Sequence, residues 1–189
     1  MNASRDERPG PGCLVLVVGP SGAGKDTLIS IAAARLGAQR RIAFGRRIVT
    51  RAADSTEDHD SLSPEAFEIA QARGEFALAW RAHGHGYGVP RAALRRLEAG
   101  DTLVFNVSRA VVEAAREQFP RVRVVHVTAP PDVLESRLKA RGRDGDVAGR
   151  LARSAEISLR PAADLLIQNV GAPETNAEVL VQFLMKTLN

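Results

Sequence analysis

Residues 19–27 read Gly-Pro-Ser-Gly-Ala-Gly-Lys-Asp-Thr, a G-x-x-x-x-G-K pattern followed by an acid. Glycines in such a loop let the backbone turn its N–H groups inward around an anion, and the lysine after the last of them reaches the outer phosphates of a nucleotide. The whole stretch, Gly19, Pro20, Ser21, Gly22, Ala23, Gly24, Lys25, Asp26 and Thr27, is therefore expected to cradle nucleotide phosphates, with Lys25 as a catalytic cation. Asp26 stands where most such loops carry Ser or Thr. Two roles fit it. Its carboxylate can take Mg²⁺, directly or through water, or it can be a first-turn acid favoured by the helix dipole.

A second set of residues suits a phosphorylated acceptor. Arg51, His59, Tyr87 and Arg109 are donors, and guanidinium forks bind phosphate in a bidentate way. Arg137, Arg141, Arg143, Arg150 and Arg153 cluster around the connection from Gly142 to Gly149, where a lid over about residues 141–150 can close on a transferring phosphate and exclude water. Each of these arginines also fits a solvated helix face. What is missing narrows the chemistry further. The strand that usually ends in a magnesium-holding Asp ends in Asn106, and no acid stands out as a base to deprotonate an alcohol. An acceptor that is already a phosphate needs no base, so catalysis reduces to positioning and charge neutralisation.

The elements that must hold these groups follow from the apolar patterning. Leu14–Val18 is an apolar run before the loop and Leu28–Leu36 follows it, giving strand, loop and helix. Arg47–Thr50 reads as a short strand and Arg51–His59 as a polar surface loop. Ser63-Pro64-Glu65 opens a helix with a cap, a proline in the first turn and an acid at the positive end, and the helix stops near Gly74. Phe76–Trp80 reads as a strand, His83–Gly88 as a glycine-rich loop, and Pro90–Glu98 as a helix stopped at Gly100. Thr102–Phe105 and Val122–Val127 are strands, each followed by a helix, over Ala110–Phe119 and Pro131–Arg141. Val147–Leu159 returns to helix, Asp164–Ile167 is a last buried strand, and Ala177–Leu188 has the spacing of a closing amphipathic helix. This alternation predicts a three-layer α/β domain with a mostly parallel five-stranded sheet and helices on both faces. Ligands of such sheets sit beyond the carboxyl ends of the strands, where the loop, Arg51, Tyr87, the turn from Asn106 to Arg109, and Thr128 converge.

Composition is consistent with this picture. A chain of 189 residues with 44% apolar content suits one domain with a full core, expected over residues 13–189 after a flexible segment at 1–12. No apolar run approaches the roughly 20 residues that span a bilayer, and the polar start lacks the centre of a signal peptide, so a cytoplasmic protein without membrane partners is expected. Cys13 is the single cysteine, which rules out an intrachain disulfide and suits packing in a reducing compartment. Only Lys25, Lys139 and Lys186 are lysines among 26 basic residues. That bias towards arginine fits genomic base composition and equally an anionic ligand. Nucleic acid is disfavoured by 4% aromatics and the lack of a basic run.

The P-loop, Thr50-Arg51, Tyr87-Gly88 and the helix end Arg137-Leu-Lys-Ala-Arg141-Gly142 resemble guanylate kinase. Matching the loops places Leu78 where that family reads guanine with a glutamate, and Val89 where it has an assisting hydroxyl; Asp54 replaces an arginine, and Asn106 and Ser108 replace two acids. The chain is more similar to the ribose 1,5-bisphosphate phosphokinases. It shares their Gly-Lys-Asp-Thr loop ending, Thr50-Arg51 with Glu57-Asp58-His59, Leu62-Ser63, Trp80-Arg81-Ala82-His83-Gly84 with Tyr87-Gly88, Asn106-Val107-Ser108-Arg109, and Arg141-Gly142-Arg143. The resemblance implies a P-loop nucleotide kinase fold with a short lid and an acceptor region over about 46–90. It also implies ATP-dependent phosphorylation of α-D-ribose 1,5-bisphosphate to 5-phospho-α-D-ribose 1-diphosphate with Mg²⁺. By carry-over, Lys25 and the loop amides hold ATP with Arg137, and Asn169 sits where relatives contact adenine. Arg141 and Arg150 neutralise developing charge. Arg51 and Tyr87 hold a substrate phosphate, joined by His59, Ser108 and Arg109. Guanylate kinase activity is the alternative.

Overall fold

The structure is a computed structural model, and it describes residues 11–52, 59–140 and 162–188. Its first strand, β1 (Cys13–Val18), is buried along its whole length. Cys13, Val15 and Val17 face one apolar cluster while Leu14, Leu16 and Val18 face another, as expected of a central strand covered on both sides. The helix after the phosphate loop is α1 (Lys25–Arg35), and it packs with the closing helix α6 (Pro173–Lys186) over the first face through Leu28, Ala32, Leu180 and Leu184. On the other face lie α3 (Arg95–Glu98) and α4 (Val112–Gln118), with Leu97, Val112 and Ala115 in the core. Truncating a fully buried leucine such as Leu16 here costs about 2–5 kcal/mol. The sheet is completed by β2 (Ile42–Phe44), β7 (Thr102–Asn106), β8 (Val122–Thr128) and β9 (Leu165–Gln168), in the order β2-β7-β1-β8-β9, and every pairing is parallel. The helix α5 (Pro131–Ala140) follows β8. The three layers and the five-stranded parallel sheet thus stand as expected.

A second sheet was not anticipated. It has four strands in the order β4-β3-β6-β5: β3 (Arg47–Val49), β4 (His59–Ser61), β5 (Phe76–Ala82) and β6 (His85–Pro90). The stretch expected as a loop at His83–Gly88 is a hairpin, with only His83 and Gly84 in the turn. Both have positive φ, 51° and 77°, as a two-residue type I′ turn requires. The glycines that argued against regular structure have another cause. A Cβ on Gly86 would come within 2.8 Å of the Phe67 ring, and one on Gly88 within 2.5 Å of the Phe76 ring. These rings, from α2 (Pro64–Ala72) and β5, stack at 4.7 Å and lie over the strand, so the glycines make room for aromatic cover. Two boundaries also differ. His59 starts a strand instead of closing a loop, and the segment from Pro90 is the end of β6, then a 3-10 turn at Arg91–Leu94, before α3. The short strand β2 escaped sequence reading, being three residues long. The cap of α2 is as expected, with Ser63 Oγ accepting from Ala66 N at 3.1 Å. The expected N-terminal segment lies almost entirely outside the described residues, as do the lid and the helix after it.

Candidate active site

The phosphate loop leaves β1 at Gly19 and enters α1 at Lys25, so its N–H groups sit at the positive end of the helix. Two of its glycines are irreplaceable for stated reasons. Gly19 has φ 146° and a Cβ there would collide with the Val127 carbonyl of β8; Gly24 is the N-cap of α1 at φ 84° and a Cβ would strike the Asn169 amide. Lys25 Nζ donates to the Gly19 and Pro20 carbonyls, each at 2.9 Å, which holds the ammonium folded across the mouth of the loop.

Asn169, just after β9, is 3% exposed. Its Nδ2 donates to Ala23 O at 2.7 Å and its Oδ1 accepts from Asn176 Nδ2 at 3.0 Å. The side chain is thereby committed to bracing the loop. Arg137 on α5 donates from Nη2 to Asn169 O at 3.1 Å, while its buried Nη1 has no hydrogen-bond partner among the described residues and lies near Gly24. An orphaned guanidinium N–H beside the loop fits a nucleotide contact.

An open cleft of about 250 Å³ runs from this loop to the second sheet. Gly19, Ser21, Gly22 and Gly24 line it on one side, with Lys25 and Asp26; Arg51, Trp80, His83, His85 and Tyr87 line it on the other. Asn106 and Ser108 close it at the end of β7. Sequence reasoning thus brought Lys25, Asp26, Arg51, Tyr87 and Ser108 to one place. Ser108 also caps the following turn, accepting from Ala110 N at 3.2 Å.

His59 and Arg109 stand differently. His59 is 1% exposed, and its Nε2 lies 3.3 Å from the Arg51 carbonyl, a contact only an Nε2–H can make. Ser61 Oγ donates to the same carbonyl at 2.8 Å. The backbone of Arg51 is therefore held by β4, and Thr50 fixes the preceding residue by accepting from Gly86 N at 2.8 Å. His59 positions Arg51. Arg109, half-buried, does not line the cleft; burial lowers its pKa from the ordinary arginine value. Arg141, Arg143, Arg150, Arg153 and Asp54 lie outside the described residues.

Two residues of this region were missed. Arg47, at the start of β3, lines the cleft although it is only 8% exposed. Its Nη2 lies 3.5 Å from Asp26 Oδ1, its Nη1 donates to Asn106 O at 3.4 Å, and its guanidinium sits 5.9 Å from the centre of the Tyr87 ring. The signal was present, since Arg47 and Val49 alternate onto one face and Val49 is apolar. His126, on β8 under Gly19, has a buried Nε2 without a partner among the described residues. Burial first, and then the charges of Arg109 and Lys25, push its imidazole below the ordinary range.

Oxygen donors meet at the helix start. Asn106 Nδ2 donates to Asp26 Oδ1 at 2.6 Å, leaving Asn106 Oδ1 buried beside the carboxylate without a partner among the described residues. One carboxylate and one orphaned amide oxygen fit Mg²⁺, which takes one or two protein oxygens together with substrate phosphates. Leu78 and Val89 are cross-strand partners buried in the core at 4% and 1% exposure. They offer a base nothing to bond.

Comparison with known proteins agrees with this geometry. Residues 15–157 match the family model described as AAA domain. The ribose 1,5-bisphosphate phosphokinase PhnN of Methylobacterium radiotolerans is 52% identical over 176 residues, covering 92% of this chain and 98% of that protein. That of Rhodopseudomonas palustris is 48% identical over 177 residues, covering 93% and 89%. Among solved structures, guanylate kinase from Anaplasma phagocytophilum shares the fold with a TM-score of 0.68 at 23% identity, covering 95% of this chain and 87% of that one. With relatives this similar along nearly its whole length, the chain belongs to the ribose 1,5-bisphosphate phosphokinase family and has a guanylate-kinase-like fold.

Proposed function

We propose that this chain transfers the γ-phosphoryl group of ATP to the 1-phosphate of α-D-ribose 1,5-bisphosphate, giving 5-phospho-α-D-ribose 1-diphosphate and ADP. One observation carries the choice of acceptor: the cleft faces the phosphate loop with cationic and donor side chains, while the two base-reading positions are apolar and buried. An oxygen of the acceptor phosphate attacks the γ-phosphorus, and the bond to the β,γ-bridging oxygen breaks with its electron pair leaving on ADP. The acceptor oxygen is already ionised, so no base is required.

Each side chain then has a task. Lys25 leaves the loop carbonyls to neutralise the outer phosphates, and the loop N–H groups at the start of α1 orient them. Asn169 keeps the loop in shape, and Arg137 contributes its spare N–H to the nucleotide. Arg51 and Tyr87 bind a substrate phosphate with Ser108 at the far edge, Arg109 adds its charge from beside the cleft, and His59 fixes Arg51 from behind. Arg141 and Arg150 neutralise charge from the lid. Asp26 and the Asn106 oxygen would hold Mg²⁺, which supplies charge neutralisation across the donor phosphates. No helix among the described residues is long and apolar enough to cross a membrane, and we place the reaction in the cytoplasm.

The test is a coupled ADP-release assay with ribose 1,5-bisphosphate and GMP side by side, and the product identified by phosphorus NMR. A diphosphate doublet pair formed from the sugar bisphosphate is expected. Faster turnover of GMP would overturn the assignment.

A further inference from the structure

Arg47 connects the two sheets: it belongs to β3, yet its guanidinium lies against Asp26 at the start of α1 and the main chain at the end of β7. A cation that is 8% exposed carries a desolvation cost, and an apolar residue of similar volume often serves stability as well or better. Its placement is better explained by function. The Asp26 carboxylate and the face of Tyr87 hold the head at the junction between the donor loop and the acceptor sheet, and Trp80 stacks on Tyr87 at 5.3 Å and 7° to stiffen that platform. At this junction two polyanions must approach to about 3–3.5 Å for transfer. A cation brought from the acceptor side is what their mutual repulsion demands there.

We infer that Arg47 binds the accepting phosphate of the sugar bisphosphate and selects acceptors that carry an anionic group at that position. Arg51, further along the same sheet, is left for the distal phosphate. This assignment rests on the phosphorylated-sugar acceptor proposed above.

Binding can be read without turnover, because Trp80 is the single tryptophan and stacks on the single tyrosine beside Arg47. The fluorescence of the full chain is titrated with ribose 1,5-bisphosphate, ribose 5-phosphate and ADP. Arg47→Met is expected to weaken ribose 1,5-bisphosphate binding about 100-fold, while ribose 5-phosphate and ADP stay within about 3-fold of wild type. Arg47→Lys should recover part of the loss. If Arg47→Met folds poorly because it strands Asp26, the double variant Arg47→Met/Asp26→Asn removes the charge pair together and, titrated without Mg²⁺ against the two sugars alone, should lose ribose 1,5-bisphosphate and keep ribose 5-phosphate in the same way. Equal weakening of both sugar phosphates, or no weakening, overturns the inference, as does a wild-type chain that binds the two sugars alike. A wild-type chain that binds ribose 1,5-bisphosphate selectively but never converts it sinks the proposed reaction and leaves the role of Arg47 standing.

Discussion

In the proposed reaction the two sheets would bind phosphate by different physics. The five-stranded sheet offers main-chain N–H groups at a helix end plus one lysine, a cradle that depends on backbone path. The four-stranded sheet offers side chains: Arg47, Arg51 and Tyr87, each held by a neighbour such as Asp26, His59 or Trp80. On that proposal the first would hold the donor's phosphates and the second would set which acceptor is used, its few contacts free to change while the cradle stays fixed.

That contrast can be broken or sharpened experimentally. The largest effect is expected from Lys25→Met, which should lower kcat about 1,000-fold while the Trp80 fluorescence titration with ribose 1,5-bisphosphate moves less than about 3-fold. A parallel loss of acceptor binding would show that the two halves are not separable. Next in size is Gly88→Ala, which pushes a methyl into the Phe76 ring and should cost about 1–3 kcal/mol in thermal unfolding, with ADP affinity unchanged. Pairing it with Phe76→Leu should restore most of the melting temperature, and a failure to do so would mean the ring is not the obstacle.

Asp26→Asn should raise the Mg²⁺ concentration at half-maximal ADP affinity about 10-fold. An unmoved midpoint removes Asp26 from the metal site. The smallest effect concerns His126. Its folded pKa lies below the ordinary 6.5, so as pH falls the unfolded chain takes the proton first. The stability this neutral imidazole contributes is complete above about 6.5 and is lost as pH falls towards the lower folded value. His126→Leu should therefore flatten the melting temperature between pH 7 and pH 5 by about 2 °C. Identical slopes in both proteins would show that burial does not hold the ring neutral.

The same contrast explains what could be read from residue order. β1, β7 and β8 are apolar runs because a parallel sheet covered on both faces leaves no polar alternative, and the loop that follows β1 declares itself by glycine spacing. The second sheet hides two of its four strands. β4 is His-Asp-Ser, and β6 carries Gly86 and Gly88, so neither has the composition of a strand until Phe67 and Phe76 are known to lie over the glycines. Arg47 was passed over because an arginine beginning a short strand reads as solvated; only the distance to Asp26 reveals its burial. Asn106 was read as a lost metal ligand, and the structure adds that its amide grips the acid that can take over the task.

The register of β1 also bears on how the chain is made. Leu14 pairs with Leu103 on one side and with Val122 on the other, so the most apolar strand of the molecule has no partner until most of the polypeptide exists. The hairpin of β5 and β6, by contrast, closes over a two-residue turn and can form as soon as it emerges. During synthesis the specific half of the site is therefore expected to take shape first. The phosphate cradle then assembles last, after β1 has waited as an exposed sticky segment that a ribosome-bound chaperone would do well to cover.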